Sequence, residues 1–166
     1  TSKTFIDATR NNRNVPAEIY YPSNSDGDNV TVASGTFPVI AFGHGFVMGI
    51  DSYENIWTAL VAEGFIVAMV NTETGFSPSH NNFGKDLAFI IDQITQENTN
   101  NGSVLFNAVS SMSAVMGHSM GGGASFLAIA NNNNIDAMVT LAPAETNPSA
   151  IATSSSIGIP SLILAG

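Results

Sequence analysis

Between residues 113 and 130 the chain reads SAVMGHSMGGGASFLAIA. An apolar run ends in glycine, meets a serine, and gives way to three glycines and a stretch of small residues. The first half fits a strand buried on both faces. The second fits a helix, roughly Met120–Ala130, packed close to its neighbours. A strand that turns directly into a helix at G-x-S-x-G leaves the backbone little choice. Ser119 must take a strained conformation that lifts its hydroxyl clear of the sheet. Gly117 and Gly121 must lack a Cβ because their backbones pass close together in that turn. The start of the helix then faces the place where negative charge develops on an attacked carbonyl. Ser119 is the candidate nucleophile.

The rest of the chain supplies a matching frame. Val15–Pro22, VPAEIYYP, is β-rich and ends at a proline, which predicts a strand at a sheet edge. Ser23–Thr36 has turn chemistry. Its DGD lacks the closing Glu of a calcium loop and is expected to be a hairpin connection. Phe37–Gly45 and Phe65–Asn71 are continuous apolar runs, as buried strands require. Tyr53, Ile56, Trp57, Leu60 and Val61 form one face of a helix ended by Gly64. After a loop, TETGFSPSHNN, the residues Phe83, Leu87, Ile90, Ile91 and Ile94 mark a second amphipathic helix. Ser113–His118, Ile135–Pro143 and Ile159–Gly166 give further strands. Alternation of apolar strands with helices predicts an α/β fold with a mostly parallel sheet.

Composition narrows the function. Four Lys and Arg stand against thirteen Asp and Glu, a net charge of −9. No basic cluster exists to hold a phosphate backbone, so nucleic acid is excluded as a partner. No run is long and apolar enough for a membrane span. The chain has no Cys, which removes disulfides and thiolate chemistry. Three scattered histidines do not suggest a metal site, and no cofactor is expected. Polarity carried by Asn, Ser and Thr rather than Lys and Glu is more the pattern of a secreted or periplasmic protein than of a cytoplasmic one, which stays the alternative.

A second loop agrees with the serine. FGHGF, residues 42–46, closes a buried strand. The N–H after His44-Gly45 and the N–H after the serine make a pair of oxyanion donors, which names Phe46 and Met120. His44 reads as a loop histidine rather than a base. His118 reads as structural, its side chain turned away from the site. Met48 and Phe76 are expected near the same sheet edge, and with His44, His80 and Ala144 they are the candidate substrate-lining residues.

The segments VPAEIYYP, FPVIAFGHGF, VAEGFIVAMVNT, GHSMGGG and IPSLILAG, in this order, resemble the α/β-hydrolase superfamily. Within it they are most similar to the branch of dienelactone hydrolases, platelet-activating-factor acetylhydrolases and bacterial cutinases or polyester hydrolases. The resemblance implies a mostly parallel sheet with helices on both faces, Ser119 as nucleophile, and Phe46 and Met120 as oxyanion donors. It also implies that Phe46 is the aromatic flanking the acyl group. Two positions depart from the pattern. Cutinase-like enzymes carry a Trp just after the strand read here as VTLAPAE, where this chain has Ala144. The family's acid and histidine lie beyond LILAG.

The triad order is Ser, acid, His, and no histidine follows Ser119. Asp136 starts a strand and falls at the wrong end of the sheet. Glu145 follows a strand at the correct end and is the alternative acid. His80 lies in the loop after the second buried strand, near the same edge; it reads as a solvated loop histidine before a substrate contact, and as a substrate contact before a base. Residues 1–166 are therefore expected to form the N-terminal portion of a single hydrolase domain acting on neutral short- to medium-chain esters. The base and acid would come from a C-terminal segment or a companion fragment. A non-catalytic remnant or interaction module, and an acyltransferase using the same serine, are the alternatives.

Overall fold

The computed structural model describes residues 1–165. The strands are β1 (Ser2–Asp7), β2 (Arg13–Tyr20), β3 (Phe37–Gly43), β4 (Ile66–Val70), β5 (Val109–His118), β6 (Ala137–Leu141) and β7 (Ser161–Leu164). They form one mixed sheet in the order β1-β2-β4-β3-β5-β6-β7. The pairs β1–β2 and β2–β4 are antiparallel, and the others are parallel. The helices are α1 (Glu54–Ala62), α2 (His80–Glu97), α3 (Met120–Asn131) and α4 (Ala150–Ser154). None among the described residues is long and apolar enough to cross a membrane.

Side-chain alternation along the central strands separates two cores. Val39, Ala41, Ile66, Ala68, Val70 and Val115 pack on one face with the apolar sides of α2 and α3. All five residues expected on the inner face of α2 are buried there. Phe42, Val67 and Met69 point the other way, under Ile56, Trp57 and Leu60 of α1. Trp57 stacks on Tyr20 with ring centroids 3.9 Å apart.

Four expectations are corrected. Val15–Pro22 is not at an edge: β2 lies between β1 and β4. The edge strand, β1, escapes a hydropathy reading because only Phe5 and Asp7 of it are buried. Residues 23–36 are not a hairpin connection, since β4 lies between β2 and β3. The segment instead closes on itself through a Ser23–Val32 bridge and an Ala33 N–H to Pro22 O bond of 2.8 Å. His80 is not in a loop. It opens α2, because Ser79 Oγ accepts the Asn82 N–H as the helix cap and the helix starts three residues before Phe83. The last strand is shorter than Ile159–Gly166, and Gly166 lies outside the described residues. Leu162, Ile163 and Leu164 are each about half exposed.

A charge cluster joins the antiparallel side of the sheet to α2. Asp86 is fully buried and accepts from Arg13 Nε (2.9 Å), Arg13 Nη2 (2.7 Å) and Thr72 Oγ1 (2.7 Å). Arg10 Nη1 pairs with it at 2.7 Å without hydrogen-bond geometry. Arg13 Nη2 also donates to Glu73 (2.7 Å), whose other oxygen accepts the Ser79 N–H. The Asp86 carboxylate raises the guanidinium pKa of Arg13, outweighing the opposite effect of burial.

Candidate active site

Parallel pairing brings the site together. Gly43 of β3 lies opposite Gly117 of β5, and His118 opposite Leu141 of β6. The loops that follow β3, β4, β5 and β6 thus leave one edge of the sheet, at the carboxyl ends of the strands where ligands bind in such sheets.

Ser119 occupies the turn between β5 and α3 with φ 50° and ψ −112°. A non-glycine residue pays strain there, roughly 1–3 kcal/mol. Surrounding bonds hold it in place. Its N–H donates to Leu141 O (2.9 Å), and its carbonyl accepts from Gly123 N–H (3.0 Å) and Ala144 N–H (2.9 Å). A Cβ on Gly117 would overlap the Gly121 carbonyl, and one on Gly121 would overlap the Gly43 carbonyl. Here the sequence expectation and the geometry agree. Met120 begins α3, so its N–H has no intrahelical acceptor.

The loop after β3 reaches the same place. Gly121 N–H donates to His44 O at 3.0 Å, fastening this loop to the first turn of α3. His44 is fully buried, with Nδ1 2.8 Å from Gly45 O and Nε2 2.8 Å from Thr72 O. Its ring braces the loop from behind and does not line an open surface, unlike the expectation for a substrate contact. Phe46 is 50 % exposed. Among the described residues its N–H, like that of Met120, meets no acceptor.

The remaining candidates are placed as follows. Met48 is partly buried, with Sδ 3.1 Å from Tyr53 Oη. Phe76 is 85 % exposed in the loop after β4. His80 Nδ1 accepts the Asn147 N–H at 3.0 Å and ties α2 to the loop after β6. Ala144 braces Ser119 through its backbone. Glu145, the alternative acid, accepts the Ile151 N–H (3.1 Å) and caps α4. Hydrogen bonding from Ser149, with backbone N–H groups of α4, holds its pKa below the usual glutamate range. Asp136 accepts the Ser113 N–H at 2.8 Å, at the amino end of the parallel strands.

His118 does not turn away from the site. Its Nδ1 lies 2.9 Å from Tyr53 Oη, beside the loop that carries Phe46. Tyr53 itself was hidden in the sequence, because its spacing marked it as one more apolar residue on a helix face. Only its hydroxyl, buried where a polar atom must find partners, distinguishes it.

Comparison with known proteins follows the same line. The family model described as PETase, PET hydrolase-like, matches residues 8–166. A bis(hydroxyethyl) terephthalate hydrolase of Streptomyces coelicolor is 28 % identical over 125 residues, 75 % of this chain and 36 % of that protein. The chain thus spans little more than a third of the length of this relative. Ala144, in place of a Trp, had counted against the polyester branch, but the match over nearly the whole chain outweighs one loop position. The chain belongs to the PET hydrolase-like family of the α/β-hydrolase superfamily.

Proposed function

We propose that this chain carries the nucleophile and the oxyanion hole of a serine-dependent carboxylic ester hydrolase. The observation that carries the reading is the strained Ser119, held between β5 and α3 beside the unpaired N–H of Met120.

Ser119 Oγ attacks the ester carbonyl carbon while a general base takes its proton. The carbonyl oxygen becomes an oxyanion and receives hydrogen bonds from Phe46 N–H and Met120 N–H, which strengthen as charge develops. Collapse breaks the bond to the alkoxy oxygen, which leaves as the alcohol with the base's proton. Water, activated by the same base, then attacks the acyl-enzyme and releases the carboxylic acid. The base and the acid that orients it come from outside residues 1–166, in a C-terminal segment or a bound companion fragment.

The substrate is a neutral ester of short to medium size. The relative named for bis(hydroxyethyl) terephthalate, an uncharged diester, supports this, as does the charge of the chain. Lys85 is the one cation after Arg13, and it sits on α2 rather than in a loop of the site edge.

The test is a fluorophosphonate probe with mapping of the adduct, alongside Ser119→Ala in the protein that includes the remaining triad. The expected adduct is on Ser119, and the variant loses several orders of magnitude in kcat. An adduct elsewhere, with Ser119 unmodified, rejects the assignment.

A further inference from the structure

Tyr53 is 4 % exposed, and its ring packs on Phe42 with centroids 4.8 Å apart. Its hydroxyl meets three groups: Gly45 N–H at 2.7 Å, His118 Nδ1 at 2.9 Å and Met48 Sδ at 3.1 Å. A phenol has one hydrogen to donate and two lone pairs. Gly45 N–H occupies a lone pair. Its hydrogen and its second lone pair are left for His118 Nδ1 and Met48 Sδ. Burial raises the phenol pKa, and the Gly45 bond only partly offsets this, so the hydroxyl stays protonated at neutral pH.

This places one hydroxyl between the two loops that furnish the oxyanion donors. Gly45 precedes Phe46, and His118 precedes Ser119 and Met120. Two successive peptides are held at Gly45, the one before it through its N–H and the one that carries Phe46 N–H through its C=O. Gly45 N–H is held by Tyr53, while Gly45 O accepts Met48 N–H (3.1 Å) and faces His44 Nδ1. That peptide is trans. A planar trans unit points its N–H opposite to its C=O, so fixing Gly45 O fixes the aim of Phe46 N–H. The fit is close. A Cβ at Gly45 would lie 2.8 Å from Met48 Sδ, 3.0 Å from His118 Nδ1 and 3.2 Å from Tyr53 Oη.

Resting on the ester-hydrolase reading above, we propose that Tyr53 is a positioning residue of the oxyanion hole. Its hydroxyl ties the Gly45–Phe46 loop to the strand end that carries Ser119, and sets the direction of one donor relative to the other. It touches no reacting atom. Its contribution therefore shows in the transition state, where donor aim matters, and not in ground-state binding.

The experiment compares Tyr53→Phe with wild type in the full-length enzyme, on a neutral ester and on the matched thionoester. Sulfur accepts hydrogen bonds weakly, so the thionoester gains less from the hole. The expected result is a fall in kcat of about tenfold or more with KM changed by less than about twofold, and a fall in the ester-to-thionoester rate ratio. Unchanged kcat, or equal slowing of both substrates, overturns the proposal. If Tyr53→Phe melts below the assay temperature, 3-fluorotyrosine at position 53, whose phenol stays protonated at neutral pH, keeps the shape and weakens the acceptor for Gly45. It is expected to lower the same ratio, and an unchanged ratio rejects the role. Ser119→Ala separates the two readings. Full activity in that variant removes the ester-hydrolase reading itself, whereas an inactive Ser119→Ala with an unaffected Tyr53→Phe removes only the role of Tyr53.

Discussion

Arg13 grips Asp86 from 73 residues away, its Nε 2.9 Å from Oδ1 and its Nη2 2.7 Å from Oδ2. The contact fastens the second strand of the sheet to the second turn of α2. Asp86 has no access to water, so the pair stands or falls together. Arg13→Ala leaves a buried carboxylate with Arg10 and Thr72 alone, and is expected to destabilise the fold by about 3 kcal/mol or more. Replacing Arg13 and Asp86 together by apolar residues of similar volume should cost much less. Urea unfolding of the two variants checks the order, and a double replacement at least as costly as Arg13→Ala would overturn it.

Acid should unfold the protein through identifiable carboxylates. Burial alone would raise the Asp7 pKa, but bonds from Thr9 and Arg10 outweigh it and hold it below the ordinary 3.8. Glu97 is likewise held below 4.5: burial opposes, and Lys3 and Ser103 prevail. A carboxylate with a depressed folded pKa contributes stability that is complete above its unfolded value. That stability is lost as pH falls through the folded value. Unfolding free energy is therefore expected to be level from neutral pH to about 5 and to decline below about 4.5. Asp7→Asn should lower stability at neutral pH and flatten the acid limb. A limb as steep as wild type in that variant would exclude Asp7 as a contributor.

Gly121 and Gly49 offer a matched pair. A methyl at Gly121 runs into the Gly43 backbone, which has no rotamer to move aside, while a methyl at Gly49 meets nothing within 4 Å. Gly121→Ala is expected to cost about 3 kcal/mol or more and to displace the turn that holds Ser119. Gly49→Ala, at φ −75°, should lie within about 0.5 kcal/mol of wild type. Thermal melts of both variants decide it. A tolerated Gly121→Ala would mean that β3 and α3 are not packed so closely.

Specificity should follow the sparse positive charge. With p-nitrophenyl esters of matched length, kcat/KM is expected to favour neutral acyl groups over half-ester carboxylates by about tenfold or more, because no cation among the described residues of the site edge pairs with the anion. Preference for the carboxylates would reject this expectation.

Much of this fold is legible in the sequence. Ser119 announced itself because a strand-to-helix turn with glycines at 117 and 121 has one backbone solution, and the period of Phe83, Leu87, Ile90, Ile91 and Ile94 fixed the inner face of α2. What escaped depended on neighbours far apart in the chain. β1 carries too few buried apolar residues to show a pattern, and its place is set by pairing with β2. The insertion of β4 between β2 and β3 depends on tertiary pairing. The Tyr53 hydroxyl has meaning only where Gly45 and His118 converge, and Asp86 reads as a polar helix residue until the two arginines arrive beside it.

The bonds that hold Ser119 come from Leu141, Gly123 and Ala144, on the β6 and α3 side of the turn. The loop that carries Phe46, Val47 and Met48 is held from the opposite side, by His44 and Tyr53. The backbone of Ser119 and the loop of Phe46 therefore have largely separate foundations, joined by the Gly121–His44 bond and by the Tyr53 hydroxyl against His118. Side chains at Phe46 and Val47, both substantially exposed, can be exchanged to reshape the entrance without unseating the serine. A scaffold built this way can vary one loop and leave the posture of the serine unchanged.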